Sequence, residues 1–134
     1  MGATRLDVVV WYRGKQEEKA RRSFSDARSL EEKARAQEEL ARLKLLQDHR
    51  GVSQASEWEM AELARSTNVR KLKEAVVETK KAVAVTVQRK ELHVKAARGL
   101  KAVENAAAKL MEEANAEAKR KEAREFDELA MLLR

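Results

Sequence analysis

The sequence predicts an all-α protein, an elongated antiparallel two-helix coiled coil or α-helical hairpin, on three observations. The chain has no Pro and four Gly in 134 residues, whereas sheets, sandwiches and barrels need turn residues every ~8–12 positions. Its hydrophobic fraction is 43% with 4% aromatic, and that fraction is carried by 23 Ala, 14 Leu and 12 Val without a single Ile. With 39% charged residues this is the composition of long helices. Third, Ala recurs at 20, 27, 34 and 41, a strict seven-residue repeat.

The first element spans 4–50. Phe24, Leu30 and Leu45 lie beside the Ala repeat, Leu6, Val9 and Val10 start the stripe, and Arg13, Gln16 and Glu17 interrupt it. An Ala seam brings two helices close but buries little area per turn, so its length has to compensate. The second element is a turn with a short helical segment, 51–68. Asp48-His49-Arg50-Gly51-Val52-Ser53 breaks the first helix, Gly51 suiting a left-handed C′ position and Arg50 a helix C-terminus. Ser56 followed by Glu59 is a capping-box pattern opening a helix with Trp58, Ala61 and Leu63 on its apolar side. Ser66-Thr67-Asn68 is either a second cap or a passing irregularity.

The third element is a second long helix, 69–134. Val69, Leu72, Val76, Val83, Val87, Val94, Ala97, Ala107, Met111, Ala114 and Ala118 keep spacings of three, four or seven, and Leu129 and Leu132 end the stripe. The eleven-residue steps from Leu72 to Val83 to Val94 predict a local stutter. Gly99 inside this helix costs ~1 kcal/mol relative to Ala. The same stripe serves an intramolecular hairpin or a dimer.

The net charge is +6, unevenly spread. Residues 65–101 carry eleven Lys or Arg against three Glu, residues 102–134 six against eight, and Glu57, Glu59 and Glu62 make 51–64 acidic. The basic segment is a solvated face or a contact for something acidic. Arg70, Lys71, Lys73, Lys80, Lys81, Arg89 and Lys90 suffice for phosphate contact. Base stacking lacks its aromatics, since none lies between 59 and 125.

Catalysis finds little support. Cys is absent, which removes thiolate zinc sites and cysteine nucleophiles and fits a reducing compartment. There is no Gly-rich phosphate loop, Glu112-Glu113 reads as surface, and a two-helix rod offers no concave pocket. His49 beside Asp48 reads as a helix-end residue and not as a metal ligand. We expect no enzyme, no cofactor and no metal. No segment reaches the ~18 apolar residues of a membrane span, and no signal-peptide pattern opens the chain; a soluble cytoplasmic protein is expected.

Two stretches carry a family resemblance. Leu6-Asp7-Val8-Val9-Val10-Trp11-Tyr12-Arg13-Gly14-Lys15-Gln16-Glu17-Glu18, with Ala20 and the Ala-spaced helix after it, resembles the N-terminus of the flagellar export protein FliJ. Glu122-Ala123-Arg124-Glu125-Phe126-Asp127-Glu128-Leu129-Ala130 resembles that family's C-terminal motif. The interruption near Gly51, with Trp58 and Leu72-Lys73-Glu74-Ala75-Val76, falls where the family places its mid-chain segment.

The resemblance implies a coiled-coil stalk similar to the central shaft of rotary ATPases. Such a stalk enters the hexameric export ATPase of the flagellar type III apparatus, contacts the export-gate platform protein FlhA and binds export chaperones. It would be cytoplasmic and peripheral to the inner membrane through its partners. It further implies paired N- and C-terminal ends forming the ring-entering tip, with Arg13, Lys15, Lys19, Phe126, Asp127 and Leu129 as ATPase contacts. Leu43, Leu46, Leu72 and Val76 are the implied gate contacts. The chain departs from the family there: Asn68 stands near an expected Phe, and His49 or Arg50 near an expected Tyr. Of the adjacent Trp11 and Tyr12, about 100° apart on a helix, one has to face away from a narrow seam, as a partner anchor or as packing at the helix end. The equivalent stalk of a virulence injectisome and a basic coiled-coil nucleic-acid-binding protein are the alternatives.

Overall fold

The computed structural model describes residues 5–47 and 55–133. They form two α-helices, α1 (Arg5–Gln47) and α2 (Ala55–Leu132), paired as an antiparallel all-α hairpin. The chain divides into two compact units, one of Met1–Glu18 with Val94–Arg134 and one of Lys19–His93.

α1 forms because it has no Pro and its seam edge is laced by i,i+4 pairs. Arg35 Nη2 lies 2.9 Å from Glu31 Oε1 and Arg42 Nη2 2.8 Å from Glu38 Oε1. Asp7 in the first turn and Lys44 in the last suit the helix dipole.

α2 begins earlier than the sequence suggests and runs unbroken through 66–68, so no separate short helix precedes a second long one. Thr67 is absorbed by donating from Oγ1 to the Leu63 carbonyl at 3.0 Å, one turn back, and hydroxyl back-bonding of this kind keeps such residues within a helix. The break at Asp48–Ser53, its Gly51 cap and the His49 reading lie outside the described residues.

In the Lys19–His93 unit the seam is thin. Ala27 is the buried apolar residue among those described and Thr79 the buried polar one. From α1, Ala20, Phe24, Ala27, Glu31, Ala34, Glu38, Ala41 and Leu45 are half-buried or buried in a heptad alternation of four and three, with Ser23 half-buried beside Phe24. α2 answers with Leu72, Ala75, Thr79, Ala82, Thr86 and His93. Thr79 Oγ1 donates to the Ala75 carbonyl at 2.9 Å and reaches the Ala34 carbonyl across the seam at 3.3 Å. Thr86 repeats this one heptad later, with Ala82 at 2.9 Å and Ala27 at 3.2 Å. A side-chain hydroxyl meets a facing backbone carbonyl only where small residues let the helices approach, and Ala27 and Ala34 supply that.

The expected eleven-residue stutter is therefore corrected. The seam of α2 keeps a seven-residue period by passing through Thr79, Thr86 and His93, with Phe24 stacked on His93 at 6.1 Å, while Val87 and Val94 are exposed. Leu30, read as part of the first stripe, is also exposed, at 61%.

In the other unit Leu6, Val10 and Gly14 of α1 lie against Ala96, Gly99, Leu100 and Val103 of α2, all half-buried. A Cβ placed on Gly99 would meet Arg13 Nη1 at 3.5 Å. Eight residues back from Arg13 is Arg5, where α1 begins, and eight forward from Gly99 is Ala107, the last half-buried residue of α2. Beyond it, every residue from Ala108 to Leu133 is exposed.

Candidate functional site

Among the described residues the spaces beside this thin seam are open grooves, and exposed side chains form the surfaces a partner would meet. The most prominent is the stretch 108–133, which α1 is too short to cover. It presents Leu110, Met111, Phe126, Leu129, Met131, Leu132 and Leu133, each more than half exposed. Phe126, Leu129 and Leu133 at i, i+3 and i+7 form the anchor spacing with which a helix enters a partner's groove. Arg120 Nε donates to the Ala116 carbonyl at 3.4 Å.

The six predicted ATPase contacts do not converge on one tip. Arg13 lies opposite Gly99, and Phe126 is 27 residues further along α2, roughly 40 Å at 1.5 Å per residue. The expected pairing of N- and C-terminal ends fails because α1 has 43 residues and α2 has 78. Lys15 sits 5.8 Å over the Trp11 ring and 3.9 Å from Glu18, and Lys19 is exposed in the other unit. Asp127, like Phe126 and Leu129, lies on the uncovered stretch. Trp11 and Tyr12 both face outward, at 63% and 56% exposure, and Tyr12 Oη accepts a hydrogen bond from Gln16 Nε2 at 3.1 Å. Neither packs in the seam, because Val10 and Gly14, half-buried on either side of the exposed Trp11–Arg13, occupy its positions.

The predicted gate contacts divide between seam and surface. Leu72 and Val76 are half-buried in the Lys19–His93 unit, whereas Leu43 and Leu46 are exposed. The basic residues read as a phosphate surface are exposed along α2. Arg70 is matched by Glu74 at 3.9 Å and Lys81 by Glu78 at 3.5 Å.

Two features went unread in the sequence. The first is a pair of carboxylates in the seam: Glu31 and Glu38 side chains are only 18% and 16% exposed. The guanidinium of Arg35 holds the Glu31 carboxyl below the usual glutamate range, burial pushes the other way, and the Thr86 hydroxyl adds to the lowering. The seven-residue spacing of Glu31/Arg35 and Glu38/Arg42, in step with the Ala repeat, was the available signal. The second is a groove on one side of this unit, formed by two adjoining cavities of about 410 and about 420 Å³. Ala27, Ala34, Ala41, Ala75 and Ala82 floor it, and Leu30, Leu40 and Val85 stand along it.

Among the described residues no helix is long and apolar enough to cross a membrane, and no cluster of three or more His, Cys, Asp or Glu is placed to hold a metal. Compared with known proteins, the chain matches no family model, no curated protein and no solved structure.

Proposed function

We propose that this chain is a non-enzymatic coiled-coil stalk and chaperone-escort component of a flagellar type III export apparatus, inserting into the export ATPase hexamer and linking it to the export gate. The reading rests on the resemblance to FliJ at both ends of the chain. The observation that carries it is the stretch 108–133: a helix continuous with a slim antiparallel pair, left bare by α1 and ending in the FliJ-like Glu122–Ala130 segment with Phe126 and Leu129 exposed. A two-helix rod is narrow enough for a ring, and an uncovered amphipathic end supplies the contact inside it. On this reading Phe126, Asp127 and Leu129 make the ATPase contact by themselves, and Arg13 and Lys15 act further along. Leu43 and Leu46 are the exposed half of the gate surface offered to a platform protein such as FlhA.

The test mixes the full chain with the cognate export ATPase and follows hexamer formation and ATP hydrolysis. Stimulation that disappears on deletion of residues 122–134, and drops at least ~10-fold in potency with Phe126→Ala, is expected, since a buried aromatic anchor is worth ~2 kcal/mol or more. No stimulation at saturating chain sinks the reading.

A further inference from the structure

The groove on the Lys19–His93 unit has a floor of Ala and therefore admits a third helix at the short end of the ~8–10 Å interaxial range. Its walls set the chemistry of that helix. Leu30 and Leu40 project beside the floor at 61% and 66% exposure, so the occupant must bring large apolar side chains. Of the charges along the edges, Glu78 is matched by Lys81 at 3.5 Å and Glu74 by Arg70 at 3.9 Å. Lys33, Lys44 and Lys71, which also line it, have no carboxylate partner among the described residues. The groove thus presents three unmatched ammonium groups, and its complement is an acidic amphipathic helix.

The chain itself contains such a helix. Residues 108–133 carry five Lys or Arg against seven Asp or Glu, and all are exposed. Met111, Ala114, Ala118, Leu129 and Leu132 lie along one side at helical spacing, interrupted on that same side by Glu122 and Glu125. Two apolar clusters flanking two carboxylates fit a groove whose apolar walls are flanked by unmatched lysines. The groove, roughly 25 Å from Ala27 to Lys44, is long enough for about two thirds of the stretch 108–133, which is roughly 38 Å at 1.5 Å per residue. Helices in proteins are stabilised mostly by packing an amphipathic face, which this stretch lacks within its own hairpin.

We propose that the groove between α1 and α2 in the Lys19–His93 unit is the docking site for the acidic stretch 108–133 of a second copy of this chain. The contact joins two different surfaces and is heterologous, so it closes by reciprocal exchange or propagates to larger assemblies. It does not depend on the export reading.

Sedimentation equilibrium of the full chain, with far-UV circular dichroism as the folding control, tests it. Wild type is expected to self-associate, more weakly as salt rises. Lys33→Glu with Lys44→Glu and Lys71→Glu weakens association at least ~10-fold at unchanged helicity, and adding Glu122→Lys and Glu125→Lys to that triple restores most of the loss, a fold-change equivalent to ~1.4 kcal/mol. Leu30→Glu with Leu40→Glu weakens it likewise and is not rescued. As the chain has no Cys, copies with Lys33→Cys mixed with copies carrying Glu125→Cys are joined by a bismaleimide into a mixed dimer. A chain that stays monomeric at its solubility limit overturns the proposal, as does association indifferent to these changes. Capture of an unrelated acidic amphipathic peptide by a chain that does not self-associate also overturns it, assigning the groove to a different partner.

Discussion

At the scale of single residues the seam is held by polar groups in positions that a coiled coil usually gives to Leu or Val. Glu31 and Glu38 each sit one heptad apart with an arginine four residues on, and Thr79 and Thr86 use their hydroxyls twice over. This arrangement makes stability depend on pH in a definite direction. Because Arg35 holds the Glu31 carboxyl below its ordinary range, the folded state binds that proton less readily than the unfolded chain does. The contribution is complete above the unfolded-state pKa and is lost as pH falls through the folded one. Glu31→Gln is therefore expected to melt below wild type at pH 7 and to converge with it in acid, below the usual glutamate range. The effect is small, since Arg35 is 61% exposed and exposed pairs contribute little. Thermal midpoints across pH measure it; a gap that stays constant into acid would assign the loss to packing.

At the scale of elements, α2 carries a glycine in mid-helix at which an added Cβ would meet a yielding side chain. A Cβ on Gly99 would lie 3.5 Å from Arg13 Nη1, the far end of a flexible side chain, at ordinary contact distance. Gly99→Ala is therefore expected to stabilise the chain by about 0.5–1 kcal/mol, the helix-propensity difference; denaturant titration reading a loss instead would mean that Arg13 cannot give way. The elements themselves were legible in the sequence. Ala at 20, 27, 34 and 41, the scarcity of Gly and the absence of Pro predict two long antiparallel helices, and the Arg5–Gln47 helix is found within its expected bounds. What was not legible follows from reading period through hydrophobic residues alone. Val87 and Val94 drew the stripe off the seam, because Thr79, Thr86 and His93 look like surface residues until the facing Ala27 and Ala34 bring a backbone carbonyl within reach. The continuity of α2 through Ser66-Thr67-Asn68 was equally hidden, since those residue types cap helices as readily as they join them. Of the candidate site, the apolar cluster at Phe126 and Leu129 was legible, but its isolation from Arg13 was not: that depends on the register of the pair, which sequence spacing leaves open.

At the scale of the whole molecule, stability is divided unevenly along α2. Between Leu72 and Ala107 its seam residues are half-buried or buried, whereas from Ala108 to Leu133 every residue is exposed, with no seam partner among the described residues of α1. A helix without tertiary contacts is held only by propensity, and six Ala in that stretch favour it by tenths of a kcal/mol each. Its opening free energy belongs at the low end of the range that local unfolding spans. Melting followed by circular dichroism at micromolar concentration is therefore expected to show an early, shallow loss of helix before the cooperative transition. Truncation after Ala107 should remove that early phase and leave the main midpoint within ~2–4 °C, a change of no more than ~1 kcal/mol for a domain of this size. If a second copy covers the stretch, mass action moves the early phase, and not only the main one, to higher temperature as concentration rises. Full-length chain and truncation measured at concentrations a hundredfold apart separate the cases. Concentration dependence confined to the full-length chain supports docking of 108–133. Equal dependence in both places self-association on other residues, and a fall of the main midpoint on truncation would show that the stretch packs on the hairpin after all.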